Sequence, residues 1–528
     1  MAALSPVAAR PAAAVSPPSF ANYYAPDGFT GPHPAQCIPN INDCDLTGEP
    51  SIGVDRATGK VMMQQWLTTA RLSFDDSAFP PTITWEDVSP PADQLGSLDA
   101  ILFTDRDTNR TFVSQLDGAC SITEYSDNDG NTWLPSQGCG VPAGPDHQTI
   151  GGGPVPPPLP VPPLYPNVVY YCSQGVVAEL CAPSFTGGTI FNPSQKVFDS
   201  TQCEPGLFGH LKVSADGTAY VPIKACDEGN LVADTMAGLV FPGRKGLGTS
   251  FDAGLTPWTF TTVPDSYTKA GTIGHDPSVA TGADNALYYG YTDPEDGYEM
   301  ADNPDVRSVA RVAVSHDHGA TWTPSADVSS PAGLNNVDFV NMVAGDDNRA
   351  ALAFLGTSAT GHSDVGEDVS DTPFPGVWYL YVAFTYDGGA TWTTVNATPD
   401  DPVQRGCITP GSGAPCRNML DFNDATVDRE GRVLVAYTDG CHAECETDPT
   451  NTTRSRHAGV VRQTCGPGLF AAFDQTQAAG CFTPASNAYS PAGPAPLPNT
   501  GGAVPLALVV LGLGVGVAML VPRRRARA

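Results

Sequence analysis

Six polar residues occupy the same place in a motif that recurs along the chain, three positions before an aliphatic residue. They are Glu49, Asp99, His147, His210, Asp276 and Asp424. Two imidazoles and several carboxylates in one place could hold a divalent metal ion, or perform general acid/base chemistry on a neutral glycan. His147 and His210 are the candidate metal ligands. Glu49 and Asp424 are the candidate catalytic pair, because neighbouring carboxylates push each other's pKa values apart.

The spacing of this motif predicts the elements that must position these residues. It starts near residues 49, 99, 147, 210, 276, 338 and 424, and the copy at Asp338 to Val343 is looser than the others. The starts are roughly 50 to 85 residues apart, and a turn and a β-rich run follow several of them. Such a repeat of about four strands predicts an all-β protein, a β-propeller of seven blades, with six blades as the alternative.

The innermost strands of a propeller begin around its central opening, on the face that usually binds ligands. We therefore expect the six polar residues to surround this opening and to form a central binding face. The alternative interpretation is that polar groups begin the inner strands because a water-filled channel solvates them.

Three further segments share one pattern, at 126–133, 315–322 and 385–392, and decayed copies lie at 73–85, 184–190 and 250–258. The pattern resembles the Asp-box (BNR) repeat of the sialidase superfamily, S-x-D-x-G-x-T-W. Its Asp accepts N–H bonds across a hairpin turn, its Gly takes positive φ, and its Trp packs between sheets. The residues expected in these structural roles are Asp129, Gly130, Trp133, Asp317, Gly319, Trp322, Asp387, Gly389 and Trp392.

The resemblance also implies which residues a sialidase would need. The family has an Arg-Ile-Pro stretch on the first inner strand, two further arginines for the substrate carboxylate, a Tyr/Glu nucleophile pair and an acid/base Asp. In this chain Glu49 stands where the first arginine is expected, and Arg56 is offset into the following turn. Arg311, Arg349 and Arg417 carry no family motif.

These observations favour a propeller that binds a glycan or a surface protein without sialidase activity, so the prediction leans against an enzyme. The first alternative is an exo-sialidase-like glycoside hydrolase of altered specificity. The second is a lytic or metal-dependent enzyme that acts through the His/Asp ring. No cofactor is predicted with certainty. The candidates are a His/Asp-bound ion, or calcium at the acidic loops 293–305 and 362–371, neither of which matches an EF-hand.

The C-terminus reads Leu497, Pro498, Asn499, Thr500, Gly501, followed by an apolar run at 503–521 and then by arginines. The run is long enough for a transmembrane helix, and the arginines hold its end in the cytoplasm. The three parts resemble the sorting signal of sortase substrates. That resemblance implies cleavage between Thr500 and Gly501 and attachment to cell-wall peptidoglycan. The alternative is a plain single-pass membrane anchor, with the same upstream region outside the cell.

The chain therefore divides into four predicted regions. Residues 1–30 are a signal-like or remnant segment, although they lack the continuous apolar stretch of a usual signal peptide. Residues 40–480 form the propeller, 482–496 are a Pro/Ala-rich wall spacer, and 497–528 are the sorting signal. The membrane is expected to be a partner only through the C-terminal helix.

Charge and cysteine usage restrict the partners and the compartment. The chain has 56 acidic and 26 basic side chains, a net charge of −30, which repels nucleic acid and anionic lipid. Its 14 cysteines suit an oxidising exterior, and we expect most to pair with a close neighbour in sequence. The couples are Cys37/Cys44, Cys120/Cys139, Cys172/Cys181, Cys203/Cys226, Cys407/Cys416, Cys441/Cys445 and Cys465/Cys481.

Overall fold

Seven antiparallel sheets make up the protein, each of four strands, with a short extra strand on the sixth. The computed structural model describes residues 17–27, 29, 47–94, 97, 99–117, 120–137, 146–175, 178–203, 209–226, 243–266, 276–294, 307–361, 363, 374–408, 416–442, 444–448 and 455–474. The inner strand of each sheet contacts the inner strand of the next, and the last contacts the first. This closed ring is a seven-bladed β-propeller, which confirms the all-β fold and seven blades and excludes six.

The blades follow chain order around the axis. From its inner to its outer strand, blade 1 contains β2 (Ser51–Val54), β3 (Val61–Gln65), β4 (Thr68–Asp75) and β5 (Thr82–Asp87). In the same order, blade 2 contains β6 (Ala100–Thr104), β7 (Thr111–Asp117), β8 (Cys120–Ser126) and β9 (Leu134–Pro135). Blade 3 contains β10 (Asp146–Pro154), β11 (Asn167–Gln174), β12 (Ala178–Ser184) and β13 (Gln195–Asp199). Blade 4 contains β14 (Lys212–Val213), β15 (Ala219–Cys226), β16 (Arg244–Ser250) and β17 (Thr259–Thr262).

The remaining blades complete the ring. Blade 5 contains β18 (Ser278–Thr281), β19 (Leu287–Pro294), β20 (Ser308–Ser315) and β21 (Ala326–Asp327). Blade 6 contains β22 (Asn336–Ala344), β23 (Ala350–Thr357), β24 (Val377–Thr385) and β25 (Thr393–Asn396), and β26 (Gln404–Arg405) also pairs with β24. Blade 7 contains β27 (Asp424–Val427), β28 (Val433–Asp439), β29 (His457–Cys465) and β1 (Ser19–Tyr24).

Helical structure in the described part of the chain is confined to single turns. One is α-helical, α1 (Glu444–Thr447), and three are 3-10 turns at Pro91–Gln94, Ser330–Ala332 and Ala471–Phe473. Among the residues described, no helix is long and apolar enough to cross a membrane. The predicted spacer, the LPNTG segment and the helix at 503–521 all lie outside the described residues.

The second strand of each blade carries much of the core. All eight residues of β23 and all seven of β28 are buried, since each strand has a blade surface on both faces. The β28 sequence VLVAYTD is rich in the β-branched and aromatic residues that suit such a position. The apolar runs of the repeat thus form the packed layers between blades.

Both ends of the propeller sequence meet in blade 7. The N-terminal strand β1 pairs antiparallel with β29, while the other three strands of that sheet come from residues 424–465. The propeller therefore begins upstream of residue 40, where the sequence analysis placed its start. A strand from each end joins the first and last parts of the chain in one sheet, and it covers the edge of β29.

Hydrogen bonds from side chain to backbone link each blade to the next around the axis. Most run from a backbone N–H of one inner strand to a polar side chain of the preceding one. The pairs are Leu102 N to Ser51 Oγ (2.7 Å), Gln148 N to Asp99 Oδ2 (2.6 Å), Leu211 N to Thr149 Oγ1 (3.1 Å), Met342 N to Ser278 Oγ (3.0 Å), Ala425 N to Asn341 Oδ1 (3.1 Å) and Ile52 N to Asp424 Oδ2 (2.9 Å). The remaining junction, between blades 4 and 5, is linked by Thr281 Oγ1, which donates to Val213 O at 3.4 Å.

The segments with the S-x-D-x-G-x-T-W pattern form turns between the third and fourth strands of their blades, at the end opposite to the start of the inner strand. Asp317 Oδ1 accepts the backbone N–H of Thr321 at 2.8 Å. In the first box the same contact is made by Asn128, which accepts from Thr132 N at 2.9 Å. Asp129, which the sequence analysis assigned to this role, is the next residue along and has a left-handed backbone with φ 55°. That assignment was wrong, because the acceptor position, two residues after the serine and two before the glycine, is occupied by Asn128.

The glycine and tryptophan of each box lie against the preceding blade. Gly130 has φ 78°, and a Cβ at this position would lie 2.7 Å from Val88 of blade 1. Trp133 Nε1 donates to Val88 O at 2.7 Å. The boxes thus help to hold neighbouring blades together on the face away from the inner-strand starts.

Four of the predicted cysteine couples form disulfides. They are Cys172–Cys181, Cys203–Cys226, Cys407–Cys416 and Cys441–Cys445. Each of the other three couples includes a residue outside the described ranges. Four disulfides indicate an extracellular protein, because such bonds persist in oxidising compartments.

Removing the N-terminal strand should destabilise the whole propeller. Deletion of residues 1–25 leaves the backbone groups of β29 without the pairing that β1 provides, so we expect Tm to fall by more than about 4 °C. Differential scanning calorimetry would measure this. Deletion of residues 1–16 is the matched control, since it leaves β1 intact and should leave Tm unchanged. Equal Tm values for both deletions would contradict the role of β1 in closure.

Candidate functional site

The six polar residues predicted at the strand starts lie at one end of the propeller, and contacts between them cross the axis. We call this group the axial ring; its members are Glu49, Asp99, His147, His210, Asp276 and Asp424. All six are buried, and the most exposed of them, His210, has 8 % of its surface accessible. The group is therefore a polar core at one mouth of the channel and not an open ring of solvated side chains.

Two members of the axial ring have a strained backbone. Glu49 has φ 47° and His147 has φ 53°, both in the left-handed region that L residues rarely adopt. Such positions persist only where the surroundings enforce them, and they concentrate at functional sites. Glu49 lies just before β2, and His147 is at the start of β10, where the pairing with β11 shifts register between Asp146 and Gln148.

His147 of blade 3 bridges carboxylates from two other blades. Its Nε2 lies 3.0 Å from Asp276 Oδ2 of blade 5, and its Nδ1 lies 3.6 Å from Asp99 Oδ2 of blade 2. The two carboxylates are at opposite edges of the imidazole, so these contacts do not place the three side chains around one point. This arrangement differs from the metal site predicted for His147.

A third carboxylate, Glu179 on β12, belongs to the same neighbourhood. Burial raises the pKa of Glu179 well above its ordinary value; the His147 imidazole opposes that shift and Asp276 adds to it. Sequence reasoning missed Glu179 because it lies on a third strand, outside the recurring motif.

His210 of blade 4 faces Asp424 across the axis. Its Nδ1 lies 3.8 Å from Asp424 Oδ1, and its ring is stacked near that of His147 with centroids 6.5 Å apart. Phe422 presents its ring edge-on to both imidazoles, at 4.7 Å from His210 and 6.1 Å from His147. The two histidines thus share one apolar wall, which the sequence pattern did not reveal because Phe422 lies in a loop.

The pKa values of Glu49 and Asp424 are shifted in opposite directions. Burial and the nearby carboxylates Asp99 and Asp421 raise the pKa of Glu49 well above its usual range, although Arg417 opposes the shift. Burial also acts against ionisation of Asp424, but the neighbouring His210 imidazole and the Lys212 charge hold its pKa below the usual range. The two shifts favour the neutral acid at Glu49 and the carboxylate at Asp424.

A cavity of about 170 Å³ runs along the axis next to the ring. His210 and Asp424 line it at the ring end, and apolar residues of the inner strands line its wall. Arg56 and Arg106, from the turns after β2 and β6, line it as well. The cavity is large enough for several water molecules or a small polar group.

The arginines that a sialidase would need are mostly placed elsewhere. Arg311 pairs with Asp293 at 3.1 Å on blade 5, and Arg349 pairs with Asp474. Arg417, the third, lies beside the axial ring, where its guanidinium pairs with Asp421. These positions do not bring the three together around one substrate carboxylate.

No family model matches the chain, and no curated protein matches it. Among solved structures it is similar to a GH74 enzyme of Niastella koreensis, with 16 % identity and a TM-score of 0.41 over 78 % of this chain and 54 % of that chain. It thus spans about half the length of that enzyme.

It is also similar to the polysaccharide lyase Uly1, with 8 % identity and a TM-score of 0.42 over 80 % and 90 % of the two chains. A third similarity is to the six-bladed fucose-recognising lectin of Aleuria aurantia, with 10 % identity and a TM-score of 0.36 over 66 % and 96 %. At this distance the likenesses say nothing about what this chain binds.

Replacing Glu49 with Gln should stabilise the protein above about pH 5. The unfolded chain releases the Glu49 proton near about pH 4.3, whereas the folded state retains it, so wild-type stability is lost as pH rises. Gln keeps the shape of the neutral acid and does not titrate. We expect a higher urea midpoint for Glu49→Gln at about pH 8, and equal midpoints near about pH 4.

Asp424→Asn is the opposing control. Because its folded pKa is lowered, Asp424 contributes stability above its unfolded pKa of about 3.9, and that contribution is lost as pH falls. The Asn variant should have the lower midpoint at about pH 7 and approach wild type near about pH 3. A Glu49→Gln midpoint below that of wild type at about pH 8 would contradict the protonated state of Glu49.

Proposed function

We propose that this chain is a surface-displayed propeller that binds a neutral glycan at the axial ring, without sialidase activity. One observation carries the proposal. Among the described side chains, Glu49 Oε2, His210 Nε2 and Asp424 Oδ1 are buried and form no hydrogen bond. A buried polar atom without a partner costs about 1–3 kcal/mol, so each atom favours a ligand hydroxyl that can pair with it.

The charge of the site supports a neutral ligand. Carboxylates outnumber cations around the axis, and the whole chain has a net charge of −30. A sialate or uronate carboxylate would meet Asp276 and Asp424 at close range, where like charges repel strongly. Sugar hydroxyls both donate and accept, so they suit a mixture of carboxylates and imidazoles.

The hydrogen bonding of the ring favours binding over catalysis. Asp424 accepts from Ile52 N and Asp99 accepts from Gln148 N, so each uses one oxygen to join two blades. A nucleophile or base that moves during a reaction would strain these junctions. A fixed ring is better suited to recognition by preorganised polar groups.

A second candidate is a glycoside hydrolase of altered specificity, and one observation favours it. The pKa of Glu49 is raised and that of Asp424 is lowered, which favours one acid and one base, the pairing that glycoside hydrolysis uses. In that case Glu49 would protonate the leaving oxygen and Asp424 would act as base or nucleophile.

We further propose that the chain belongs with the Asp-box propellers, and that its C-terminal segment is a wall-sorting signal. The turn bonds of Asp317 and Asn128 support the first proposal, together with the S-x-D-x-G-x-T-W pattern. The order of LPNTG, apolar run and arginines supports the second. Sortase and peptidoglycan would then be partners, and the propeller would stand outside the cell.

Binding can be tested with residues 17–496 on a glycan array, followed by titration of the best neutral glycan. We expect His210→Ala to weaken binding at least about tenfold, since it removes a buried hydrogen-bonding group. His316→Ala is the matched control, because this exposed histidine lies in an Asp-box turn on the opposite face. Equal affinity for His210→Ala and wild type would remove the axial ring as the binding site.

The same preparations separate binding from catalysis. Incubation with fluorogenic neutral glycosides should release no fluorophore if the chain only binds. Turnover that is lost in Glu49→Gln and kept in His316→Ala would favour the hydrolase instead.

The anchor can be tested by fractionating cells that express the full chain. We expect the wild type in the wall fraction released by muramidase, because the proposed cleavage after Thr500 joins the protein to peptidoglycan. Thr500→Ala should move it to the membrane fraction, since the apolar run remains. A wild type found only in the membrane fraction would indicate the plain membrane anchor.

A further inference from the structure

Three side chains of types that can bind a metal ion lie together in blade 7, apart from the axial ring. Asp439 is the last residue of β28, His442 follows in the next loop, and Glu446 is in the single turn α1. Because β28 runs antiparallel to β27, Asp439 is at the end where β27 begins. The group therefore faces the same side of the propeller as the axial ring.

The three side chains surround one point. His442 Nδ1 lies 3.1 Å from Glu446 Oε1 and 3.7 Å from Asp439 Oδ2, and the three ligand atoms are all within 4.8 Å of one another. A tetrahedral ion with ligands at about 2.1 Å places neighbouring ligand atoms about 3.4 Å apart. The observed separations lie on either side of that value.

Asp439 supplies an independent reason to expect a cation. Its side chain is fully buried, and its Oδ1 accepts the backbone N–H of Cys441 at 2.9 Å. Within the part of the chain that the structure describes, its Oδ2 forms no hydrogen bond, although it is directed at His442. A buried carboxylate among others is stabilised when a cation joins them.

The fold holds the ligands before any ion binds. The Cys441–Cys445 disulfide closes the short loop that contains His442. The backbone N–H of His442 donates to Ser455 Oγ at 2.8 Å, and its ring stacks on His457 with centroids 4.0 Å apart. Such support around the ligands is typical of metal sites, because it fixes the orientation of the imidazole.

We propose that Asp439, His442 and Glu446 bind one divalent transition-metal ion, of which Zn²⁺ is the test case. One imidazole and two carboxylates suit such ions, and three protein ligands leave a coordination position for water or a ligand hydroxyl. Solvent reaches the site, since the side chains of His442 and Glu446 are 27 % and 31 % exposed. The alternative trio of Asp27, His442 and His457 is less suited, because His457 Nε2 bonds Ala25 O at 2.9 Å.

The proposed site lies next to β1, the N-terminal strand that completes blade 7. The ring of Tyr24, the last residue of β1, lies 5.2 Å from the ring of His442. Bound metal would fix the loop against which β1 ends, so it should stabilise the blade that both chain ends build.

The test uses the protein of residues 17–496, stripped with a chelator and then supplied with Zn²⁺ alone. We expect one ion per chain by elemental analysis, a micromolar or tighter Kd by calorimetry, and a Tm raised by at least about 2 °C. His442→Ala should weaken Zn²⁺ binding at least about a hundredfold and abolish the Tm shift. Glu446→Gln should weaken it less, because an amide oxygen still coordinates.

Two controls make the result specific. His316→Ala removes an exposed histidine on the opposite face and should bind Zn²⁺ as the wild type does. His210→Ala should also keep the ion, so a failure of the glycan proposal is distinguishable from a failure of this one. Equal Zn²⁺ affinity for His442→Ala and wild type, or no binding at micromolar Zn²⁺, would overturn the proposal.

Discussion

The structure depends on one kind of contact, the hydrogen bond by which a side chain of one inner strand holds the backbone of the next. Ser51, Thr149 and Ser278 accept such bonds with hydroxyls, and Asp99 and Asp424 accept them with carboxylates. Inner strands cannot pair with each other as a sheet does, so these bonds satisfy backbone groups that would otherwise be buried without partners.

This constraint explains why the candidate site is both polar and buried. A carboxylate that joins two blades has one oxygen left, and for Asp424 that oxygen faces His210 and the axial cavity. The same residues therefore contribute to stability and to the chemistry of the central face. Their pKa values shift in opposite directions because of their neighbours: Glu49 lies among carboxylates, whereas Asp424 lies beside His210 and Lys212.

The two faces of the propeller are built differently. The turns with the S-x-D-x-G-x-T-W pattern repeat on one face with short loops, and their tryptophans and glycines pack against the preceding blade. The other face has the axial ring and the disulfide-bonded loops after β26 and β28. The repeated turns on the first face pack neighbouring blades together. The irregular loops on the second face bring side chains of different chemical types close to one another.

Much of the fold could be predicted from the sequence, because each repeat places the same types of residue at the same spacing. The all-β fold, the seven blades and the starts of the inner strands follow from a polar residue placed three positions before an aliphatic one, and neighbour pairing of cysteines follows from their close spacing. Tertiary structure alone decided what these residues touch. It placed His147 against Asp276, two blades away, brought Glu179 and Phe422 to the axis from outside the motif, and gathered Asp439, His442 and Glu446 around one point. It also joined β1 to β29 across more than four hundred residues. Contacts of this kind depend on ring closure and on loop paths, and neither leaves a periodic signal in the chain.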